Sequence, residues 1–467
     1  MKSNLKIEIP SGANEIIHNL QNNGYEAFLV GGCVRDSILG RPIHDYDITT
    51  SATPDEMMEV FKDKRIIETG LQHGTITILI DGEGYECTTY RIDGNYSDSR
   101  RPDSVTFTRN LKEDLKRRDF TINAMAYNDE VGLVDPFNGM EDIEHYKIRC
   151  VGKAEDRFSE DALRILRAIR FASQLGFVVD SDVSLNIHKM YKNLENISIE
   201  RINGEFCKIA LSSEFYIQIG LFREVFSLFI PEIKDMFGFQ QNNPYHIYDV
   251  WNHTVHAVQA YECDCEEDLN SIDLITSLAV FFHDIGKPHC YQDSEDGVRH
   301  FKGHGRVSAD MTDTIMKRLR FDNDTREKVV QLVYYHDATF EVGEKYIKRW
   351  LNKIGEEQFR RLLNVRRADI KAQAYTEQES RLQKIDNIEY ILEEVLQNDE
   401  CFSLKDLAVN GKDLITIGYK PGKEIGNTLN CLLQLVIEGI CPNEKSELLK
   451  YIKTTKEWMK LGEKYNG

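Results

Sequence analysis

Over about the first 130 residues, short runs rich in β-branched and aromatic side chains alternate with stretches of helical period. The runs are AFLV (27–30), YDITT (46–50), GTITILI (74–80) and YECTTYR (85–91), and Asp81-Gly-Glu-Gly84 between the last two reads as a hairpin turn. From about Glu160 onward the apolar spacing becomes helical and β-rich runs become rare. The pattern predicts an α+β chain with an α/β head followed by mostly helical segments. The turn-rich stretch FGFQQNNPYHIY (237–248) marks one boundary, and a weaker break falls near Asn398 to Ser403. The expected divisions are 1–150, 151–236, 237–397 and 398–467, with no internal repeat and no low-complexity segment.

Length and composition narrow the class. A chain of 467 residues exceeds one ordinary core, and 41% hydrophobic with 29% charged residues is globular composition. No run approaches the roughly 18 apolar residues of a membrane span, and MKSNLKIEIPSG lacks the apolar core of a secretory signal, so a cytoplasmic protein is expected. Ten scattered cysteines suit free thiols in a reducing compartment. A net charge of −19 argues against indiscriminate nucleic-acid binding, so a nucleic-acid partner requires a local basic patch. From Lys345 to Lys371 nine Lys or Arg face three acids, which suits either such a patch or a solvated helical face.

Candidate chemistry falls in two constellations. In the first, Phe28-Leu-Val-Gly-Gly-Cys-Val-Arg-Asp36 sets Gly31 and Gly32 between a buried strand and a helix, where backbone amides can approach phosphate closely. Asp45 and Asp47 follow, two apart on an extended segment and so on one face. Paired carboxylates repel unless a cation lies between them, and hard oxygen ligands suit Mg2+; Glu86, on the run 85–90, is a candidate third acid. Together GGCVRD, with Arg35, and HDYD resemble motif A of the polymerase-β-like nucleotidyltransferases, in particular the class II CCA-adding enzymes and the related bacterial poly(A) polymerases. Arg117-Arg-Asp-Phe-Thr-Ile-Asn-Ala-Met-Ala126 is similar to a further motif of that family, which implies that Arg118, Asp119 and Asn123 contact the ribose and phosphates of the nucleotide. Glu160-Asp-Ala-Leu-Arg-Ile-Leu-Arg-Ala-Ile-Arg-Phe171 is similar to its base-reading helix.

The chemistry of that third motif supports the resemblance. Asp161 and Arg164 are three apart, so on a continuous helix they share a face. Arginine only donates and aspartate only accepts, a pair that fits the pairing edges of cytosine and adenine; uracil and guanine would set two donors against each other. Ile199-Glu-Arg-Ile202 with Glu205 resembles the helix that supports the base reader. Glu68 to Thr77, ETGLQHGTIT, looks like a stretch of CCA-adding enzymes, and the G-R-R-F run usual in the poly(A) polymerases is absent. YSDSRRPD (96–103) resembles the family loop that helps switch from CTP to ATP, and 407–413 with 418–426 look like the region that holds tRNA.

In the second constellation, Phe281-Phe-His-Asp-Ile-Gly-Lys287 resembles the central motif of HD-domain metal phosphohydrolases. His253, His304, His336 and Asp369 complete, with His283 and Asp284, the order of a one- or two-metal set; His256 shares the first helix with His253 and is its rival. Imidazole with carboxylate suits Mn, Fe, Ni or Zn. By resemblance such a domain hydrolyses 2′,3′-cyclic phosphates or 2′-phosphates.

The resemblance therefore implies a nucleotidyltransferase head (1–150), a helical neck (151–236), an HD domain (237–397) and a tRNA-binding tail (398–467). The implied reaction adds CMP, CMP and AMP from CTP and ATP to the tRNA 3′ end, with Mg2+ at the first site and a second divalent metal at the HD site. The alternatives are a poly(A) or A-adding-only enzyme, and a phosphohydrolase whose head only binds RNA. No membrane partner is expected, and the sequence leaves the oligomeric state open.

Overall fold

The computed structural model describes residues 6–43, 45–94, 104–265, 271–398 and 400–454. The chain divides into two compact units, 1–232 with 318–320, and 233–317 with 321–467. The segment expected as head falls in the first unit with all of the expected neck but 233–236, and the segments expected as HD domain and tail fall in the second except for 318–320.

The first unit is built on a seven-stranded mixed sheet in the order β3-β4-β5-β2-β1-β8-β9. Its strands are β1 (Ala27–Val30), β2 (Ile48–Thr50), β3 (Arg65–Gly70), β4 (Thr75–Ile80), β5 (Glu83–Thr89), β8 (Ala126–Asn128) and β9 (Gly132–Val134), with β6 (Arg91–Asp93) and β7 (Val105–Phe107) paired apart from it. Three of these, β3, β8 and β9, lie outside the runs singled out by sequence, because they lack a long β-branched alternation. The β4–β5 turn is tighter than Asp81 to Gly84: only Asp81 and Gly82, at φ 52° and 90°, make it, while Glu83 and Gly84 already pair with Ile80 and Leu79. Parallel pairing of β2 with β5 matches Ile48 to Cys87, so Asp47, just before β2, comes beside Glu86 within β5.

Helices α1 (Ser11–Asn22), α2 (Gly32–Leu39), α3 (Pro54–Val60), α4 (Leu111–Lys116) and α5 (Gly139–Glu144) belong to the head. The start of α3 is written locally: Thr53 accepts from the Glu56 amide, Glu56 accepts from the Thr53 amide, and Pro54 occupies the first helical position. The helical part continues through α6 (Ala154–Glu160), α7 (Leu163–Leu175), α8 (Ser181–Met190), α9 (Ile199–Ala210), α10 (Phe215–Leu221) and α11 (Arg223–Phe229). Helices α7 and α9 pack through apolar faces that include Ile165, Leu166, Ile169, Ile202, Phe206 and Ile209. Inside this packing Arg170 is 3.0 Å from Glu205, each side chain 8% exposed, and burial pushes the arginine pKa down to about 10.

The second unit contains α12 (Val250–Asp264), α13 (Leu274–Phe282), α14 (His304–Arg318), α15 (Asn323–Tyr335), α16 (Glu344–Ile354), α17 (Glu356–Lys371) and α18 (Gln378–Gln397). Helix α13, LITSLAVFF, is apolar nearly all round and buried from Thr276 to Phe282, which is why α12, α15 and α17 all pack on it. Asp249, Asp273 and Asp322 cap α12, α13 and α15 by accepting from Asn252, Thr276 and Thr325 amides. The following segment, with α19 (Gly411–Thr416) and α20 (Lys423–Ile437), has its own core including Leu407, Val409, Leu414, Leu432, Leu433 and Leu448. Among the described residues no helix is long and apolar enough to cross a membrane.

The Arg170–Glu205 pair yields a stability test. Glu205→Ala leaves a buried guanidinium without its partner and is expected to cost about 3–5 kcal/mol, read as a lowered urea midpoint, whereas Arg170→Met with Glu205→Leu costs less. Wild-type stability in Glu205→Ala would contradict this.

Candidate functional sites

The glycine pair is placed where β1 ends and α2 begins. Gly31 has φ 79°, a conformation that side-chain-bearing residues rarely adopt, and a Cβ there would lie 3.0 Å from the Arg118 guanidinium. Arg118 is held 3.7 Å from buried Asp114, while its Nε has no hydrogen-bond partner. Burial pushes its pKa down despite Asp114, so a cation sits beside the glycine turn incompletely neutralised.

A chain of hydrogen bonds runs from this turn into the helical region. Arg35 donates to both carboxylate oxygens of Asp36 and, at 2.6 Å, to Asn123 Oδ1. Asn123 donates to Asp119 Oδ1 at 3.3 Å, and Asp119 Oδ2 accepts from Arg167 Nε and Nη2 at 2.8 and 2.5 Å. Burial alone would raise the Asp119 pKa, but Arg167 and Arg164 overcome it and hold the carboxyl well below the usual range. Arg35 and Arg167 also lie over the ring of Phe171, 5.1 and 5.3 Å from its centre. The structure thus brings Gly31, Arg35, Arg118, Asp119 and Asn123 into one network, with Gly32 opening α2.

Asp45 and Asp47 lie in the irregular segment just before β2, and the Asp47 carbonyl accepts from the Val30 amide at 3.0 Å. Desolvation by its surroundings raises the Asp47 pKa, Arg118 lowers it, and Glu86 and Asp45 raise it further. Asp47 therefore lies in the field of the other two acids and of Arg118. Among the described residues the three acids do not form a set of carboxylate oxygens all within 4.8 Å of one another. Their chemistry, hard oxygens in mutual repulsion, fits a divalent cation such as Mg2+.

The base-reading pair requires a correction. The helix is not continuous: α6 stops at Glu160, Asp161 is extended at φ −141°, and α7 starts at Leu163. Asp161 accepts from the Leu163 amide at 3.0 Å and pairs with Arg201 of α9 at 2.8 Å. Arg164 pairs with Glu160 and donates to the Arg117 carbonyl at 3.0 Å. The two side chains do not bond each other, because Asp161 acts as the stop and start signal between two helices. Sequence reasoning passed over Arg167 and Asp114, whose partners lie 48 residues away or across an Arg-Arg step. Arg201 and Glu205 were legible only as support for the reader, and each does pair with it, at Asp161 and Arg170.

In the second unit the six expected residues meet, each at the end of a helix. His253 lies in the first turn of α12, His283 and Asp284 just beyond α13, His304 at the start of α14, His336 just beyond α15, and Asp369 in the last turn of α17. The Nε2 atoms of His253 and His283 lie 3.3 and 3.2 Å from Asp284 Oδ2, and that of His304 lies 3.3 Å from Asp284 Oδ1. His304 and His336 face each other at 2.9 Å, and Asp369 is 3.1 Å from His253. Two triads, His253–His283–Asp284 and Asp284–His304–His336, share one carboxylate.

Every imidazole is oriented from behind. Nδ1 of His253, His283, His304 and His336 lies 3.3, 2.7, 2.9 and 2.7 Å from the carbonyls of Ala372, Val280, Phe301 and Val333. A carbonyl only accepts, so Nδ1 carries the proton and Nε2 is left to present a lone pair inward. Inward lone pairs around a shared carboxylate, all buried, repel unless positive charge lies among them. Donors of this kind suit Mn, Fe, Ni or Zn. His256 is instead stacked on Tyr248, rings 3.9 Å apart, which settles its rivalry with His253. Gly286 lets the α13 end approach α14: a Cβ there would be 2.5 Å from the Ser308 amide nitrogen.

The two units each match a family model, the Poly A polymerase head domain over residues 27–149 and a putative tRNA nucleotidyltransferase domain 2 over residues 305–452. The CCA-adding enzyme of Enterococcus faecalis is 33% identical over 446 residues, 94% of this chain and 95% of that one. This chain belongs to the family of CCA-adding enzymes. Similarity to the CCA-adding enzyme of Lactobacillus johnsonii is higher but shorter, 47% over 231 residues, and there the match spans 58% of the relative, little more than half its length. The Bacillus stearothermophilus CCA-adding enzyme in complex with CTP superposes with a TM-score of 0.65 at 27% identity, covering 96% of this chain and 100% of that one. The Thermotoga maritima CCA-adding enzyme complexed with tRNA shares the fold at a TM-score of 0.58 and 19% identity, covering 96% and 97%.

Other family-like segments are more ordinary in structure. In the Asn410-Gly-Lys-Asp413 step, Asn410 and Asp413 form a capping box for α19. The stretch 96–103 lies outside the described residues. Within the basic stretch Lys348, Arg349, Arg360, Arg361, Arg367 and Lys371 are ion-paired with acids, and Lys353 covers the rings of Tyr335 and Trp350. Most of its charge is spent in the fold, closer to the solvated-face reading than to an RNA patch.

The shared carboxylate makes metal uptake testable. If the triads hold divalent ions, Asp284→Ala on the full chain is expected to weaken uptake at least tenfold and His253→Ala or His304→Ala to lower it, measured by mass spectrometry of bound Mn2+ after dialysis. Unchanged uptake in Asp284→Ala would contradict the shared site.

Proposed function

We propose that this member of the family is a CCA tRNA nucleotidyltransferase, adding CMP, CMP and AMP to the tRNA 3′ end from CTP and ATP without a nucleic-acid template. The observation that carries this reading is the single hydrogen-bonded network of Arg35, Asn123, Asp119 and Arg167 beside Gly31, Arg118 and the acids Asp45 and Asp47. Asp45 and Asp47, with Glu86, would hold Mg2+, which lowers the cost of deprotonating the 3′ hydroxyl and screens the phosphates. Gly31, Gly32 and Arg118 receive the triphosphate, and Arg35, Asp119 and Asn123 orient the sugar and phosphates. The 3′ hydroxyl attacks the α-phosphate and pyrophosphate leaves.

Asp161 and Arg164 read the base. Both are held by protein partners, Arg201 and Glu160, so reading requires an exchange in which base edge replaces at least one of these contacts. Because the exchanged partners are themselves charged, a base that cannot satisfy them leaves an unpaired group, and this disfavours uracil and guanine. The cytoplasm is the compartment that suits this reading, with ten free cysteines.

A second activity is favoured by the two histidine triads. Of this cluster, Asp284, His304, His336 and Asp369 line a cavity of about 1140 Å3 together with Lys287, Arg366 and Arg381. A divalent pair at these triads would supply an activated water, and cationic walls suit phosphate esters such as 2′,3′-cyclic phosphates or 2′-phosphates.

The test is incubation of the full chain with tRNA lacking its terminal CCA, with CTP and ATP separately and together, and sequencing of the products. Addition of CCA and no more is expected; long ATP-only tails on any RNA would instead identify a poly(A) polymerase. Asp45→Ala with Asp47→Ala should lower incorporation by about 1000-fold or more while leaving phosphate-ester hydrolysis intact. Asp161→Ala should blur the choice between CTP and ATP, and unchanged choice would remove the base-reading assignment.

A further inference from the structure

The cavity at the histidine triads contains two arginines that differ from their neighbours. Arg366 of α17 donates from Nη1 to the His336 carbonyl at 2.7 Å, but its nearest carboxylates, on Asp369 and Asp337, lie 3.6 and 4.0 Å away. Its Nε is buried with no hydrogen-bond partner. Arg381, one turn into α18, donates to Gln373 Oε1 and pairs with no carboxylate among the described residues. By contrast Arg360, Arg361 and Arg367 on the same helix as Arg366 each engage acids within 2.9 Å.

The two guanidinium groups feel each other. Burial pushes the Arg381 pKa down, Asp369 opposes this, and Arg366 lowers it further. Two incompletely paired cations on one cavity wall are an arrangement that an oxyanion stabilises, since planar guanidinium groups offer parallel donors to phosphate oxygens. Gln373 ties the wall to the metal-ligand cluster: its Nε2 donates to Asp369 Oδ1 at 2.7 Å while its Oε1 accepts from Arg381. The ligand carboxylate and the far arginine are thereby fixed by one amide.

We propose that Arg366 and Arg381 form a phosphate-binding wall that holds the phosphoryl group of a phosphate ester against the cavity-lining side of the cluster, Asp284, His304 and His336, with Gln373 as the residue that positions Arg381. This deepens the hydrolytic reading of that cavity and rests on it for the ester, but not for the binding of phosphate itself. The wall explains why Arg366 alone of its helix's arginines turns its charge to a cavity lined by metal-ligand candidates.

The experiment measures binding of inorganic phosphate to the full chain by calorimetry, both metal-free and loaded with Mn2+, alongside hydrolysis of cytidine 2′,3′-cyclic phosphate and of cytidine 2′-phosphate. Arg366→Gln and Arg381→Gln are each expected to weaken phosphate about tenfold or more in both metal states, with bound Mn2+ unchanged. Gln373→Ala should weaken phosphate less than Arg381→Gln does. Since Arg366→Gln also removes a bond to the His336 carbonyl, Arg381→Gln, which touches no backbone group, keeps the test clean. Wild-type phosphate affinity in Arg381→Gln and Arg366→Gln overturns the wall. Weakened phosphate binding with no hydrolysis of either ester by the wild type upholds the wall and removes the hydrolytic reading.

Discussion

The contact on which the first site depends is the ion pair between Asp119 and Arg167. It joins a loop of the sheet head to the long helix α7, and through Asn123 and Arg35 it reaches the glycine turn. Remove that anchor and Asn123 loses the acceptor that orients its amide, Arg35 loses a fixed side-chain partner, and the turn at Gly31 is left with its backbone bonds to Met125 and Arg35. A buried carboxylate costs free energy unless guanidinium donors surround it, so Asp119 can stay ionised only while α7 stands where it does. The geometry of phosphate recognition is in this sense set by a helix outside the sheet.

The second cluster obeys the same logic with different donors. Here backbone carbonyls, not side chains, orient the imidazoles from behind, and those of Val280, Val333 and Ala372 lie in the last turn or at the cap of a helix, where carbonyls lack intrahelical partners. Bringing the ends of five helices, α12, α13, α14, α15 and α17, to one point is what gathers the ligands, and the apolar α13 is the pillar that makes this possible. A chain of net charge −19 thus keeps a locally cationic cavity, where Lys287, Arg299, Lys302, Arg366 and Arg381 face Asp284, Asp337 and Asp369, and Lys287 is paired with Asp284 at 2.6 Å.

Much of this was legible in the residues alone. The glycine pair, the Asp45 and Asp47 spacing, and the order of His253, His283, Asp284, His304, His336 and Asp369 all carry local chemistry that survives without knowledge of the fold, and the structure gathers the latter six as expected. The strands at 65–70, 126–128 and 132–134 were not legible, since their pairing is decided by neighbours and not by their own pattern. The continuous helix expected over Asp161 and Arg164 failed because aspartate competes for backbone amides and here ends one helix and starts another. The partners that matter most, Arg167 for Asp119 and Arg201 for Asp161, lie 48 and 40 residues away, a distance that periodicity does not bridge. The basic run 345–371 left two readings open in sequence, a patch or a solvated face, because charge counts do not reveal which cations already have partners.

The most direct measurement of the central claim is a double-mutant cycle on equilibrium binding of CTP to the full chain, using Asp119→Asn, Arg167→Gln and both together. If the pair sets the nucleotide site through one network, the two losses overlap, with a coupling of about 1–3 kcal/mol between them. Losses that simply add, to within about 0.3 kcal/mol, would mean that Asp119 and Arg167 act independently and that the anchor does not organise the site.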